Sequence, residues 1–351
     1  MLLYLHIPFC DSKCHYCAFN SYTHLHHLKE SYMKAIMIQV KEEFKRFNVK
    51  EHAIQTLFIG GGTPSCVKPQ EYQEFFKYIT PYLAKNAEIT TEANPNSATY
   101  TWLEGMFTLG VNRVSFGVQS FNSQKLQELN RNHTPTQAKE AVQNAFNIGF
   151  KNISLDLIYG TIFDNKALLE EDIKQAFSLP INHLSAYSLT IEEGTRFFET
   201  PSVAQDEESL AFWFVNEIQK QGFASYEISN FGSYHSQHNL GYWEYKDYIG
   251  VGSGAVGFLK NSRFYTQKDV HSYIEDPNAI MIEVLSHEDI KHEKILLGLR
   301  SIVGFYEGIL EKEELEKSQY LVQEGKLTYH DRRFYNPNFF LADELTLYIT
   351  S

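Results

Sequence analysis

The chain has 351 residues, 43% of them hydrophobic and 21% charged, which is the balance of a globular protein with room for one large domain and a smaller one. A formal net charge of −12 argues against general nucleic-acid binding, which needs clustered Lys and Arg to replace counterions; a local basic pocket remains compatible with it. The apolar start, Met1 to Phe9, has no basic leader and runs straight into cysteines. No apolar run has the length of a membrane span, so the chain reads as cytoplasmic and without a transmembrane segment.

Short β-rich runs alternate with longer amphipathic ones. Strands are expected near Leu2–Ile7, Gln55–Ile59, Glu88–Glu92, Arg113–Val118, Ile153–Ile158 and His183–Leu189. Between them, Tyr32–Phe47 sets Ile36, Val40 and Phe44 on one helical face. Pro69–Leu83, Thr99–Leu109, Thr136–Ile148 and Asn165–Phe177 repeat that pattern. Strand–helix alternation implies a parallel sheet with right-handed crossovers. The expected fold class is α/β, a partial (β/α)6 barrel, with an open doubly wound sheet as the alternative. No Gly-x-Gly-x-x-Gly turn follows the first strand, which disfavours a dinucleotide fold.

Beyond Leu189 the alternation stops. Asp206–Gln221 reads as a helix and Tyr226–Phe231 as a short strand. Residues 233–258 are rich in Gly, Tyr, His and Ser. Ile290–Ile302 and Glu311–Gln323 read as helices and Leu327–Phe340 as a hairpin, a smaller C-terminal α+β domain of helical, winged type. The expected division is a core over 1–230, a connecting segment over 231–280 and the C-terminal domain over 281–351.

Three of the four cysteines, Cys10, Cys14 and Cys17, fall just after the first strand; the fourth is Cys66. Such a cluster is no disulfide framework and reads as a metal site. Thiolates suit iron–sulfur clusters and zinc alike. Three of them can grip three corners of a cubane and leave one iron open. Zinc would need a fourth donor, which His15 or His6 could supply, and three buried structural cysteines are the plain alternative. Cys66 reads as a small buried residue.

Cys10-x-x-x-Cys14-x-x-Cys17 resembles the signature of the radical S-adenosylmethionine (SAM) superfamily. Its flanks, Tyr4-Leu-His6-Ile-Pro8-Phe-Cys10 and Cys17-Ala-Phe19-Asn20, are similar to the coproporphyrinogen III oxidase-like group of that superfamily. So are Gly60-Gly-Gly-Thr-Pro64, Phe116 to Phe121, Asp156 to Gly160 and Tyr226 to Phe231. The likeness is clear from Tyr4 to about Phe258. It implies a [4Fe–4S] cluster held by the three cysteines, with the open iron chelated by SAM. It also implies SAM contacts from Gly61, Gly62 and Thr63, and from Glu92, Gln119, Arg131 and Asp156. Tyr4, Tyr16 and Val256 match pocket-lining positions. These segments follow predicted strands, at the end where parallel barrels place their chemistry. A carboxylate there can accept from ribose hydroxyls, and Arg can pair with a ligand carboxylate.

Two features separate this chain from the porphyrinogen enzymes of the group. Those usually carry a further cysteine two residues after the third, where Phe19 stands here, and an extension before the motif, whereas Cys10 lies near the start. A third is positive. His238-Asn239-x-x-Tyr242-Trp243 is similar to a heme-binding motif of the group's heme chaperones. It implies His238 as an axial ligand of heme iron, with Asn239, Tyr242 and Trp243 orienting and packing the porphyrin.

The function implied is therefore a heme chaperone, with cluster, SAM and heme as its cofactors, rather than an enzyme; radical cleavage of SAM remains chemically available. The alternative is an oxygen-independent coproporphyrinogen III dehydrogenase. Implied partners are recipient hemoproteins, membrane respiratory proteins among them, with room for a homodimer and no nucleic acid. The chain departs from the group at Thr161–Asn165 and at Ala18.

Overall fold

A computed structural model describes residues 1–205 and 207–351. Its elements run β1 (Leu2–Ile7), α1 (Lys29–Arg46), β2 (Ile54–Gly61), α2 (Pro69–Ile79), β3 (Leu83–Ala93), α3 (Tyr100–Thr108), β4 (Arg113–Gln119), α4 (Ser123–Glu128), α5 (Pro135–Ile148), β5 (Asn152–Tyr159), α6 (Lys166–Phe177) and β6 (His183–Ser188). Next come α7 (Glu208–Lys220), β7 (Asn230–Gly232), α8 (Gln237–Trp243), β8 (Tyr248–Val251), β9 (Val256–Leu259), β10 (Ser262–Thr266), α9 (Val270–Glu275) and β11 (Ile280–Val284). The chain ends with α10 (His287–Leu299), β12 (Phe305–Tyr306), α11 (Lys312–Gln323), β13 (Thr328–His330), β14 (Arg333–Tyr335) and α12 (Ala342–Thr350).

Strands β1 to β6 pair in parallel, in sequence order. Antiparallel β7 covers the β6 edge. This is the expected α/β partial barrel. The strands are apolar on both faces because helices cover one and the filled interior the other. In β1, for example, every residue but Tyr4 is buried. Helix α1 buries Tyr32, Ile36, Val40 and Phe44, four residues apart and hence on one face. Helix α5 is bounded by its own chemistry: a Thr134/Gln137 capping box, Pro135 in the first turn, and Gly149 in the left-handed region at φ 117°.

Residues 231–280 extend the same sheet on its other side. β8 pairs in parallel with β1, from Leu2↔Tyr248 to Leu5↔Val251, and β9, β10 and β11 follow as an antiparallel meander. The C-terminal elements have their own core, in which Ile295, Leu299, Phe305, Leu321, Phe334 and Leu345 meet. A three-stranded sheet, β12-β14-β13, forms the wing. Asp331 and Arg332 turn its hairpin in left-handed conformations, the two-residue geometry that matches strand twist.

Several expectations are corrected. The strand expected over Tyr226–Phe231 is confined to Asn230–Gly232. Ahead of it, the Glu227 carboxylate accepts from the Ser229 N–H at 3.1 Å and closes a local turn in place of a ladder. The short helices α4, α8 and α9 and the last helix α12 have too few turns for their periodicity to stand out. The helix expected over Asp206–Gln221 occupies Glu208–Lys220; Asp206 lies outside the described residues. Among the described residues no helix is long and apolar enough to cross a membrane.

Candidate functional site: two adjoining cavities

At the C-terminal ends of β1 to β6 lies a cavity of about 620 Å³. It brings together Cys10, Cys14, Cys17, Tyr16, Gly61, Gly62, Thr63, Glu92, Gln119, Arg131 and Asp156, which the sequence scatters over almost 150 residues. Cys66 does not line it.

The loop after β1 carries the thiols, and each is placed by neighbours. The Thr63 hydroxyl donates to Cys10 Sγ at 3.3 Å, and Arg131 Nη1 to Cys14 Sγ at 3.3 Å. The His15 N–H donates to the Leu129 carbonyl, docking the loop on the end of α4. Burial pushes the Cys10 and Cys17 thiols up. Among the described residues no three His, Cys, Asp or Glu side chains converge on one point, as a zinc ion requires. A cubane takes each thiolate on a different iron and so accepts the wider spacing. Neither candidate fourth donor to zinc lines this cavity. His15 Nδ1 meets the Glu128 carbonyl at 2.9 Å. His6 meets the Tyr4 hydroxyl at 3.0 Å and the Asn20 carbonyl at 2.8 Å.

The glycine turn after β2 allows backbone to approach the thiols closely. A Cβ on Gly62 would lie 2.8 Å from the Ile7 carbonyl oxygen and 3.1 Å from Cys10 Sγ. Gly61, at φ 107°, donates its N–H to Glu92 Oε2 at 3.1 Å. Glu92 ends its strand facing Asp156, and its carboxyl is pushed up to about 8, chiefly by burial and then by that like charge. Burial likewise raises Asp156, which accepts from the Ser115 hydroxyl at 3.1 Å. Arg131 is clamped by Asn94 Oδ1 at 2.7 Å and by the Gly117 carbonyl, while its Nε is buried without a partner. Gln119 sits at φ 68°, where β4 breaks register against β5. Left-handed backbone at a non-glycine residue is strained, and such strain concentrates at ligand sites. These residues fit a ligand with a cationic centre, a carboxylate and a diol, and three thiols fit a cluster. Asn94 was not singled out from the sequence. Its signal was its place two residues after Glu92 at the same strand end.

The divergent loop Thr161–Asn165 does not line this cavity. It is sealed by Asp164, which accepts from the Thr161 N–H and hydroxyl at 2.8 and 2.9 Å. Asp164 also pairs at 2.5 Å with Lys125 Nζ, and both side chains are fully buried.

A second cavity, of about 800 Å³, opens beside the first, between β8–β10 and helix α10. Ala18 and Phe19 of the cysteine loop line both. Tyr4 and Val256, expected around SAM, line this second cavity and not the first, a correction set by the parallel pairing of β8 with β1. Tyr242, Tyr245, Tyr248 and Phe258 supply aromatic walls, and Lys246, Arg263 and Lys268 positive charge.

His238 departs from its expected place. It is 1% exposed, and both ring nitrogens are occupied. Nδ1 meets the Thr56 hydroxyl at 2.7 Å and Nε2 the Tyr242 hydroxyl at 3.0 Å. Its backbone N–H is held by Glu88 at 3.0 Å. The ring is therefore a satisfied core histidine here, with no nitrogen free for iron. Of the motif, Tyr242 lines the second cavity, and Asn239 and Trp243 line neither of the two.

Residues 4–176 match the model of the radical SAM superfamily. The chain is 32% identical over 315 residues to the heme chaperone HemW of Lactococcus lactis, covering 86% of this chain and 82% of that one. It is 38% identical over 269 residues to HemW of Escherichia coli, covering 73% and 69%. Among solved structures it is similar to coproporphyrinogen III oxidase HemN from Escherichia coli, with a TM-score of 0.82, 19% identity and coverage of 100% and 90%. That last likeness speaks for the fold alone. Close sequence agreement across more than four-fifths of both chains, over a barrel whose mouth gathers the three cysteines, decides the family: the chain belongs to the HemW family within the radical SAM superfamily.

Proposed function

We propose that this protein is a heme chaperone, which holds a [4Fe–4S] cluster and SAM in the cysteine cavity and carries heme beside them. The observation that carries the reading is the pair of cavities sharing Ala18 and Phe19. One has thiols and buried carboxylates; the other is aromatic and edged by cations, and its volume is that of a small-molecule site. When bound, the cluster supplies one-electron chemistry and an open iron. The protein's own part is to place and enclose. Cys10, Cys14 and Cys17 ligate. The Thr63 hydroxyl and Arg131 guanidinium donate to two of the sulfurs, which tunes a cluster. Arg131, whose Nε has no partner, would meet the ligand's carboxylate, and Glu92 and Asp156 would answer its cationic centre and its ribose.

Recipients are hemoproteins, membrane respiratory proteins among them, met in the cytoplasm. The test is anaerobic reconstitution with iron and sulfide, then hemin titration and transfer to an apo-hemoprotein followed by absorption. Saturable binding and transfer are expected, with no SAM-dependent conversion of coproporphyrinogen III. Clear formation of protoporphyrinogen IX would replace the chaperone by the dehydrogenase reading.

A further inference from the structure

Among the described residues with left-handed backbone, Gln119 is the one non-glycine that is buried and lies within a strand. Gln lacks the short side chain with which Asn and Asp bond their own backbone there, so the conformation has to be imposed from outside. Its neighbours show how. On one side, the Val118 carbonyl accepts twice, from the Ser120 N–H at 2.9 Å and from His133 Nε2 at 3.0 Å. On the other, Asp172 of α6 accepts from the Phe121 N–H at 2.6 Å, and its two oxygens accept from the Ser120 hydroxyl at 3.0 and 2.8 Å. His133, Ser120 and Asp172 are all buried, and neither His133 nor Asp172 lines either cavity.

We propose that His133 and Asp172 are positioning residues of the SAM site: from behind the cavity wall they lock the turn after β4 in the left-handed form that delivers the Gln119 amide to the ligand. This deepens the reading of the cysteine cavity as a SAM site and rests on it. The register of β4 against β5 breaks between Gly117 and Gln119, and a bulge of this kind re-aims the side chain that follows it. A turn free to relax would leave the left-handed region and carry the amide off its station.

The donor is set in advance. Facing a carbonyl, His133 carries its proton on Nε2, while its Nδ1 is buried without a partner among the described residues. Burial, and then the Arg131 charge, hold the imidazole down at about 3, so it stays neutral in that tautomer through the neutral range. The segment between α4 and α5 thus grips two successive carbonyls of β4: Arg131 bonds that of Gly117 from within the cavity, and His133 that of Val118 from behind it.

The test measures SAM affinity by calorimetry on full-length, cluster-loaded protein, with iron and sulfide content as the check on the fold. His133→Phe removes the donor and should weaken SAM binding by about fivefold or more, whereas His133→Gln, which offers a side-chain N–H at similar reach, should stay within about twofold. Asp172→Asn keeps one acceptor oxygen and should cost about threefold. Gln119→Gly removes the amide and adopts φ 68° freely, so it should weaken binding at least as much as His133→Phe. Added to Gln119→Gly, His133→Phe or Asp172→Asn should change affinity by less than about twofold, because nothing remains to be positioned. Full losses on top of Gln119→Gly overturn the assignment, since the effect then travels by another route, such as Arg131 two residues before His133. Wild-type affinity in both His133→Phe and Asp172→Asn, or equal losses in His133→Phe and His133→Gln, overturn it too. Wild-type affinity in Gln119→Gly overturns it while leaving the SAM reading intact, and absence of SAM binding by cluster-loaded wild type overturns both. Should His133→Phe lose its iron and sulfide, Asp172→Asn with and without Gln119→Gly decides alone.

Discussion

The two cavities share a wall but are built in opposite ways. The cysteine cavity is assembled from strand ends: each of β1 to β5 delivers a residue at or just beyond its C-terminal end, and neighbouring strand ends converge in any parallel barrel. The aromatic cavity is assembled from a late stretch of chain, α8 to β10, folded back on β1 and roofed by α10. In the first, polar groups are held in strained or charged states, with Gln119 left-handed, Glu92 raised and Arg131 carrying an orphaned Nε. In the second, rings pack on rings, and the buried imidazoles of His6 on its wall and of His238 behind Tyr242 have both ring nitrogens occupied. Stored electrostatic cost marks a site that awaits a charged ligand, whereas satisfied packing marks a shape that awaits an apolar one.

The largest effect that separates them is loss of the thiolates. Replacing Cys10, Cys14 and Cys17 together by Ala should abolish bound iron and sulfide after reconstitution, while Cys66→Ala keeps both. Hemin affinity should stay within threefold, because only Ala18 and Phe19 are common to the two cavities. Parallel loss of hemin binding would show that the cavities are one site.

A smaller effect concerns the ground beneath the cysteine loop. Lys125→Met leaves Asp164 buried and unpaired, and should cost roughly 3–5 kcal/mol in denaturant unfolding. A change under 1 kcal/mol would mean that water reaches this pair. Next in size is the ligand pocket. Arg131→Lys cannot keep its contacts with Asn94, Gly117 and Cys14 together, and Glu92→Gln loses the carboxylate that accepts from Gly61. Each should weaken SAM binding by about 1.5–3 kcal/mol, the range for charged hydrogen bonds, read by calorimetry on cluster-loaded protein.

The smallest effect is a pH dependence. With Glu92 at about 8, its carboxyl is protonated at neutral pH in the empty site, and a cationic ligand must expel that proton. Binding should therefore strengthen by up to about tenfold from pH 7 to 9, with the gain levelling off above the raised value. The amino group of SAM titrates in the same window, so the comparison is with Glu92→Gln, whose profile should be flatter. Coincident profiles would show that Glu92 is already ionised or does not face the ligand. In the aromatic cavity Tyr242 is the matching probe, and its loss should leave this SAM profile unchanged.

The sequence by itself determined the barrel and its chemical mouth. Strand and helix periods alternate from Leu2 to His183 with little interruption, and parallel strands have to be apolar throughout because both faces are buried. Once those strands were placed, the positions of Cys10, Gly61, Glu92, Gln119 and Asp156 near their ends followed from local order. The tertiary structure alone decided the rest. Whether β8 would pair with β1 depended on contacts between residues more than 240 apart, which no local period encodes. That pairing moved Tyr4 and Val256 into the second cavity. The role of His238 was equally hidden. A buried imidazole and a free one look the same in sequence, and only the arrival of Thr56 from β2 and Tyr242 from the next turn of α8 settles which nitrogens remain free.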